Sequence, residues 1–165
     1  MNVVSNTTPI SELYKIDHLE LLALVYGQIL IPEAVAQELA STRTWAGLSQ
    51  VAEQTPWISV LTLTDAEAPQ RLRSRYSGVH EGEAATMVLA REIQASRIIL
   101  DDKRARQVAH GEGLPVIGTV GVVLLAHRLG CLSALQGQRI LEHLYQGTAY
   151  ISEGLYRDAL RQLLG

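Results

Sequence analysis

Short apolar runs alternate with longer segments of helical periodicity along most of this chain. Five runs of three or four residues have the length and composition of buried strands, and they cover residues 2–5, 28–31, 57–60, 97–100 and 115–117. The segments after and between them predict helices at 8–15, 18–24, 32–39, 65–76, 82–93, 102–110, 120–129, 133–145 and from 152 onward. Strands that alternate with helices in this way predict an α/β fold, in which a mostly parallel sheet is covered on both faces.

Several boundaries carry more specific expectations. Thr8 is a plausible N-cap with Pro9 as the first helical residue. The polar and apolar alternation of residues 57–60 suggests an edge strand. Residues 41–50 predict a loop with a short helix around Trp45, and 65–76 a polar helix or loop. Residues 84–90 are apolar on nearly every side, which predicts a buried helix.

The composition is that of a globular chain. Its 165 residues predict one domain over 1–165, with 47% hydrophobic and 19% charged residues. A net charge of −3 gives no general basic footprint for nucleic acid, although a local patch can still bind phosphate. Cys131 is the only cysteine, which excludes a disulfide framework and a cysteine zinc site. No membrane span or signal peptide is recognisable, so we expect a soluble cytoplasmic protein.

Polar side chains stand where two predicted strands end and where a buried helix begins. Asn6 follows the first strand, Asp101 and Asp102 follow the strand at 97–100, and Glu83 lies in the first turn of the buried helix. The carboxyl ends of strands in an open α/β sheet meet at one crevice, where ligands bind. Oxygen ligands of this kind suit magnesium or manganese.

Each of these residues also has a structural interpretation. Glu83 could serve only the helix dipole, a contribution of about 0.3–1 kcal/mol. Asp102 could cap the next helix while Asp101 faces solvent, with Lys103, Arg104 and Arg106 offsetting the two charges. The segment around Asn6 could be a turn and cap cluster.

Other site chemistries find no support in the sequence. The dinucleotide-binding glycine pattern, the P-loop and the nucleophile elbow are all missing. The five histidines have no zinc-ligand spacing, and an arginine-rich stretch at residues 71–75 is more typical of a solvated helix face.

Five phrases in register resemble the PIN-domain family of metal-dependent ribonucleases, which includes the toxins of VapBC-type toxin–antitoxin pairs. More narrowly, the chain resembles a bacterial and archaeal PIN-like subfamily. The phrases are Val4–Ile10, Gly82–Ala84, Leu100–Arg106, Gly113–Gly121 and Ile151–Tyr156. They run almost from end to end, and together they form a specific signal.

The resemblance implies a three-layer α/β/α sandwich and cleavage of phosphodiester bonds in RNA with magnesium or manganese. It assigns catalysis to Glu83, Asp101 and Asp102, adds Asn6 as a fourth metal ligand, and places Thr7 and Thr119 near the substrate. Asp102 is the favoured ligand of the aspartate pair, because it begins the following helix. Implied partners are RNA, a small antitoxin protein and a second or further copy of the chain.

Asn6 departs from this pattern, since the family has an acidic ligand there. An amide brings no negative charge, so it should weaken metal affinity and reduce the basicity around an attacking water. A slow nuclease, a nuclease that needs a partner, and a binding module for RNA or protein without catalysis all stay open.

Overall fold

The computed structural model describes residues 1–41, 55–147 and 150–165. Its sheet has five parallel strands in the spatial order β3-β2-β1-β4-β5. The strands are β1 (Val3–Ser5), β2 (Ile29–Pro32), β3 (Ile58–Leu61), β4 (Arg97–Ile99) and β5 (Val116–Ile117). Every strand is parallel to its neighbours, as the alternation of strands and helices predicts.

Nine helices within the described residues connect and cover these strands. They are α1 (Thr7–Lys15), α2 (Leu21–Tyr26), α3 (Glu33–Ser41), α4 (Ala68–Arg75), α5 (Glu81–Glu92), α6 (Lys103–Gly111), α7 (Thr119–Arg128), α8 (Ala134–Gly147) and α9 (Glu153–Leu164). None of the described helices has the length and apolar character needed to cross a bilayer.

Two apolar clusters lie on opposite faces of the sheet. Successive strand residues point to opposite faces, so Val3 and Ile99 join one cluster while Val4 and Ile98 join the other. Helices α4, α5 and α6 cover the second cluster, and the first receives residues from α1, α2, α3, α7, α8 and α9. This arrangement is the predicted three-layer α/β/α sandwich.

The strand order reverses at β1, which fixes where a ligand site can form. From β1 the chain first builds the sheet outward to β2 and β3, and it later adds β4 and β5 on the other side. Val3, Val4 and Ser5 pair with Arg97, Ile98 and Ile99, so both strands end at the same level. The crevice between their carboxyl ends is the topological switch point, where open α/β sheets bind ligands.

The predicted start of α1 was wrong by two positions. Asn6, rather than Thr8, is the N-cap, and Thr7 is the first helical residue. The backbone N–H of Asn6 extends the sheet by donating to Ile99 O at 3.1 Å, and the helix begins at the next residue. Pro9 then lies within the first helical turn, where its missing N–H has no intrahelical partner to lose.

The remaining boundaries agree with the structure to within a few residues. Strand β3 lies at one edge of the sheet, as its alternation predicts. The polar segment 65–76 does contain a helix, although it begins only at Ala68. The expected loop around Trp45 lies outside the described residues.

Candidate functional site

Asn6 carries a buried oxygen that the fold leaves unpaired. Its residue is only 5% exposed, yet Oδ1 has no hydrogen-bond partner among the described residues. The side chain does not cap α1, although its backbone occupies the N-cap position. An unsatisfied buried acceptor costs about 1–3 kcal/mol, which a ligand that approached Oδ1 would offset.

Glu83 brings a buried carboxylate to the same edge of the sheet. It is the third residue of α5 and is 6% exposed. Burial raises the pKa of its carboxyl, and the nearby negative charges of Asp102 and Glu38 raise it further, against a lowering contribution from His80. Its Oε2 accepts from the His80 N–H only at 3.5 Å, a weak capping contact. Helix capping alone therefore does not account for this residue.

Asp102 caps α6, as its structural interpretation predicts. Its Oδ2 accepts from the backbone N–H of Ala105 at 2.9 Å. The residue is partly exposed, and it lies close enough to Glu83 to raise the pKa of that carboxyl. The cap engages Oδ2, and the carboxylate keeps lone pairs for a cation. Capping and metal binding are therefore compatible here.

Asp101 faces a different neighbour from Asp102. Its Oδ1 accepts from the Thr119 backbone N–H at 2.7 Å, and its Oδ2 accepts from the Thr119 hydroxyl at 2.6 Å. Burial raises the pKa of Asp101, while the Thr119 hydrogen bonds and the Arg106 charge act in the opposite direction. These contacts tie the end of β4 to the start of α7. The roles of Asp101 as a ligand and of Thr119 near a substrate stay predictions.

Glycine at position 118 makes room for the charge that compensates Asp101. A Cβ at Gly118 would collide with Nη1 of Arg106, and it would also crowd the Asp101 carboxylate. Arg106 Nη1 donates to Leu100 O at 3.0 Å, which holds the guanidinium over the end of β4. The Gly118–Thr119 pair therefore serves the local packing of the Asp101 carboxylate.

Glu38 is an acidic neighbour that the sequence reasoning missed. Its Oε2 accepts from the Thr7 hydroxyl at 2.5 Å, and a Cβ at Gly82 would overlap its carboxylate. Glu38 thus lies against the first turn of α5, next to Glu83. The sequence spacing could have indicated that Glu38 lies near buried residues, because Val35, Glu38 and Leu39 share one face of α3. The two apolar residues on that face are buried. Thr7 contacts this acid in the structure, and its proximity to a substrate stays a prediction.

The donors at the switch point match a hard divalent cation in chemistry. Asn6 offers an unpaired oxygen, and a cation would relieve the repulsion between Glu83 and Asp102. In residues 1–41, 55–147 and 150–165, however, no three Asp, Glu, His or Cys side chains lie together closely enough to hold a metal ion. The available set is therefore two carboxylates with one amide rather than a cluster of three acids.

The comparison with protein families agrees with this picture. A family model described as the PIN domain matches residues 2–164. The chain belongs to the PIN-domain family. No curated protein and no solved structure matches it.

Membership in the PIN-domain family confirms the resemblance seen in the five sequence phrases. This membership means that the chain has a nuclease-type fold. PIN domains generally depend on divalent metals, and the family suggests RNA as the substrate. The resemblance aligns the family's first acidic position with Asn6, and that assignment stays a prediction. The Oδ1 of this amide is buried and has no hydrogen-bond partner among the described residues.

The raised pKa of Glu83 predicts how stability depends on pH without metal. A folded-state pKa above the unfolded value means that the native protein binds the proton more tightly, so stability falls as pH rises through that interval. We expect Glu83→Gln to remove this loss, because glutamine has no charge to desolvate or repel. Urea unfolding of both proteins in EDTA, across a pH series, measures the difference.

Glu81→Gln is the matched control, since it removes an exposed glutamate from the same turn of α5. The difference between wild type and Glu83→Gln should grow with rising pH and then level off. A difference that does not change with pH would contradict the assignment of the raised pKa to Glu83. Asp101 shifts in the same direction, but it is present in all three proteins and cancels in the comparison.

Proposed function

We propose that this PIN domain is a magnesium- or manganese-dependent endoribonuclease whose site is the crevice between β1 and β4. The observation that carries the proposal is the unpaired Oδ1 of Asn6 at the same switch point as two carboxylates, Glu83 and Asp102, that repel each other. A protein gains nothing in stability from burying such groups together. A cation bound between them offsets both costs.

In this proposal, Glu83 and Asp102 hold the cation and Asn6 contributes a neutral oxygen. When bound, the cation supplies positive charge at the phosphate and lowers the pKa of water in the site. Asp101 fixes the position of the β4 end through Thr119, and its own contact with the cation is part of the proposal. Glu38 accepts a hydrogen bond from the Thr7 hydroxyl, and its negative charge adds to the attraction for the cation.

In this proposal, Glu83 also positions the attacking water beside its ligand role. Thr7 is the first residue of α1, so it begins the helix at the same edge of the sheet as Asn6. We assign it a role in orienting the substrate.

The alternative is a PIN-like module that binds RNA or protein with little catalysis. Asn6 and the lack of a three-acid cluster among the described residues both support it. The two functions differ in what the metal does. The nuclease needs a bound cation at Glu83 and Asp102, whereas the module retains its ligand in EDTA.

A regulatory partner and self-association complete the proposal. The family resemblance supports a role as the toxin component of a toxin–antitoxin pair, restrained by a small antitoxin protein, and a homodimer or higher oligomer. Leu24, Leu129 and Leu135 are each more than half exposed, which supports a surface for contact with another chain. The proposed catalytic roles do not depend on which protein this partner is.

Manganese titration by calorimetry, paired with cleavage of single-stranded and structured RNA, tests the nuclease. We expect Glu83→Gln and Asp102→Asn each to weaken manganese binding by at least about tenfold, the loss typical of even an outer-shell partner, and to remove metal-dependent cleavage. Asparagine is as good an N-cap as aspartate, so Asp102→Asn keeps α6 capped while it removes the charge.

Two further variants sharpen this experiment. Glu81→Gln should bind manganese and cleave as wild type does, because Glu81 is exposed and no site contact involves it. Asp101→Asn separates a ligand from a positioning group, because an amide can still accept from the Thr119 N–H. Unchanged binding and cleavage in both Glu83→Gln and Asp102→Asn would overturn the site, and RNA retention without turnover would establish the binding module.

Replacing the amide with the family's carboxylate tests the part played by Asn6. In EDTA, Asn6→Asp should lower the melting temperature, because it places a negative charge at a buried position on the same edge of the sheet as Glu83 and Asp102. Manganese should then raise the melting temperature more than in wild type, since a tighter ligand stabilises the native state more at equal concentration. Thermal unfolding with and without manganese measures both shifts. An equal or smaller manganese effect in Asn6→Asp would place Asn6 outside the metal site.

A further inference from the structure

A groove of about 1030 Å³ opens directly from the candidate site. Asp101 and Asp102 lie at one end, and helix α6 forms one wall. The opposite wall comes from β5, α7 and the start of α9, including Val116, Val120 and Leu155. We call this cavity the α6 groove. It shares Asp101 and Asp102 with the candidate site.

Four polar side chains of α6 line the groove at the spacing of one helix face. They are Lys103, Arg106, Gln107 and His110, which are separated by three, one and three positions. The helix rises by about 1.5 Å per residue, so the Cα atoms of Lys103 and His110 are about 10 Å apart along its axis. A row of donors therefore extends from the metal site outward on a single rigid element.

These donors differ in what they are free to contact. Arg106 is occupied by Leu100 O and by the charge of Asp101. Lys103 and His110 are exposed, and neither forms an ion pair with any residue in the described ranges. On a chain with a net charge of −3, Lys103 places a positive charge beside an acidic site, and His110 adds a ring N–H donor. Lysine is a phosphate-binding point charge, and histidine can donate to a phosphate oxygen in either protonation state.

The facing wall has the opposite character. Val116, Val120 and Leu124 are apolar, and Leu155 and Tyr150 remain 44% and 46% exposed at the groove. Bases in a single strand present flat apolar faces, and they stack on aromatic and apolar side chains without sequence preference. A groove with donors on one side and an apolar surface on the other is therefore complementary to single-stranded RNA.

We propose that the α6 groove binds the single-stranded RNA that flanks the scissile phosphate, with Lys103 and His110 on the backbone and the β5–α7 wall against the bases. This inference rests on the proposed nuclease function, because it takes the crevice at Asp102 as the cleavage point. A protein segment is the competing occupant. The groove shares Asp101 and Asp102 with the acidic site, and Lys103 has no ion-pair partner in the described ranges, which favours RNA. A mainly apolar peptide would leave the Lys103 charge and the His110 ring N–H without partners.

The test measures RNA affinity with catalysis switched off. Fluorescence anisotropy of a labelled oligouridine in EDTA reports binding by wild type and by the double variant Lys103→Gln/His110→Gln. We expect the double variant to bind at least about fivefold more weakly. Each lost phosphate contact should also reduce the salt dependence, the slope of log K against log salt, by about 0.7.

A second double variant, Arg104→Gln/His143→Gln, is the matched control. It removes an arginine and a histidine, which matches the loss of one full positive charge and one imidazole, but both residues are exposed and neither lines the groove. Because the loss of charge is equal, any long-range attraction of RNA changes equally in the two variants. We expect the control to retain the wild-type salt slope and nearly the wild-type affinity.

Several results would overturn the groove as an RNA site. One is equal RNA affinity of the two double variants, and another is failure of wild type to bind oligouridine in EDTA. The third is that Lys103→Gln/His110→Gln changes only self-association or the capture of a protein, and leaves RNA affinity unchanged. Glu83→Gln keeps the two failures distinct, because it should bind oligouridine in EDTA at least as tightly as wild type does, since it removes a negative charge near the phosphate, and it should lose cleavage. If wild type cleaves RNA and the Lys103 and His110 substitutions have no effect, only the groove proposal fails. If RNA binding depends on the groove but no cleavage occurs, only the nuclease proposal fails.

Discussion

The parallel pairing of β1 with β4 is the constraint on which the site depends. These strands are separated by more than ninety residues in sequence, yet Ser5 lies opposite Ile99 and the Asn6 N–H donates to Ile99 O. Asn6, Asp101 and Asp102 follow these paired residues by one to three positions, so they come at the same edge of the sheet. Helices α1 and α6 follow β1 and β4 and begin at this edge. The first turn of α5 reaches it too, since Gly82 lies against Glu38 and Glu83 lies near Asp102.

Acidic side chains that come together at this edge repel each other electrostatically. The structure compensates the charges of Asp101 and Glu83 to different degrees. Asp101 is compensated by Thr119 and Arg106, and so it behaves as a structural link between β4 and α7. Glu83 has only the opposing contribution of His80, and burial and the charges of Asp102 and Glu38 outweigh it, so its pKa is raised. An amide at position 6 limits the total negative charge at this edge of the sheet. This reduces the repulsion between the buried groups, and it also weakens the attraction for a cation.

Sequence patterns predicted the sheet and most helices, because strand length, caps and buried helix faces are local signals. The shared metal site of Asn6, Glu83 and Asp102 stays a prediction. The start of α1 was misplaced because the N-cap was assigned from side-chain preference, whereas the backbone of Asn6 completes the β1–β4 ladder. Glu38 escaped notice because its importance comes from a tertiary contact with Thr7 and Gly82. The bond between Asp101 and Thr119 is likewise tertiary, and adjacent aspartates give no sign that they face different neighbours.

Manganese broadening of backbone amide signals in an NMR spectrum would locate a metal site at the switch point. The ion shortens relaxation times only near its binding site, so the measurement does not require turnover. At low manganese, we expect the amides around Asn6, Glu83 and Asp102 to broaden first, while the signals from the far ends of α5 and α6 persist. Broadening centred on another acidic residue such as Glu112, or spread evenly over the surface, would contradict a metal site at the switch point.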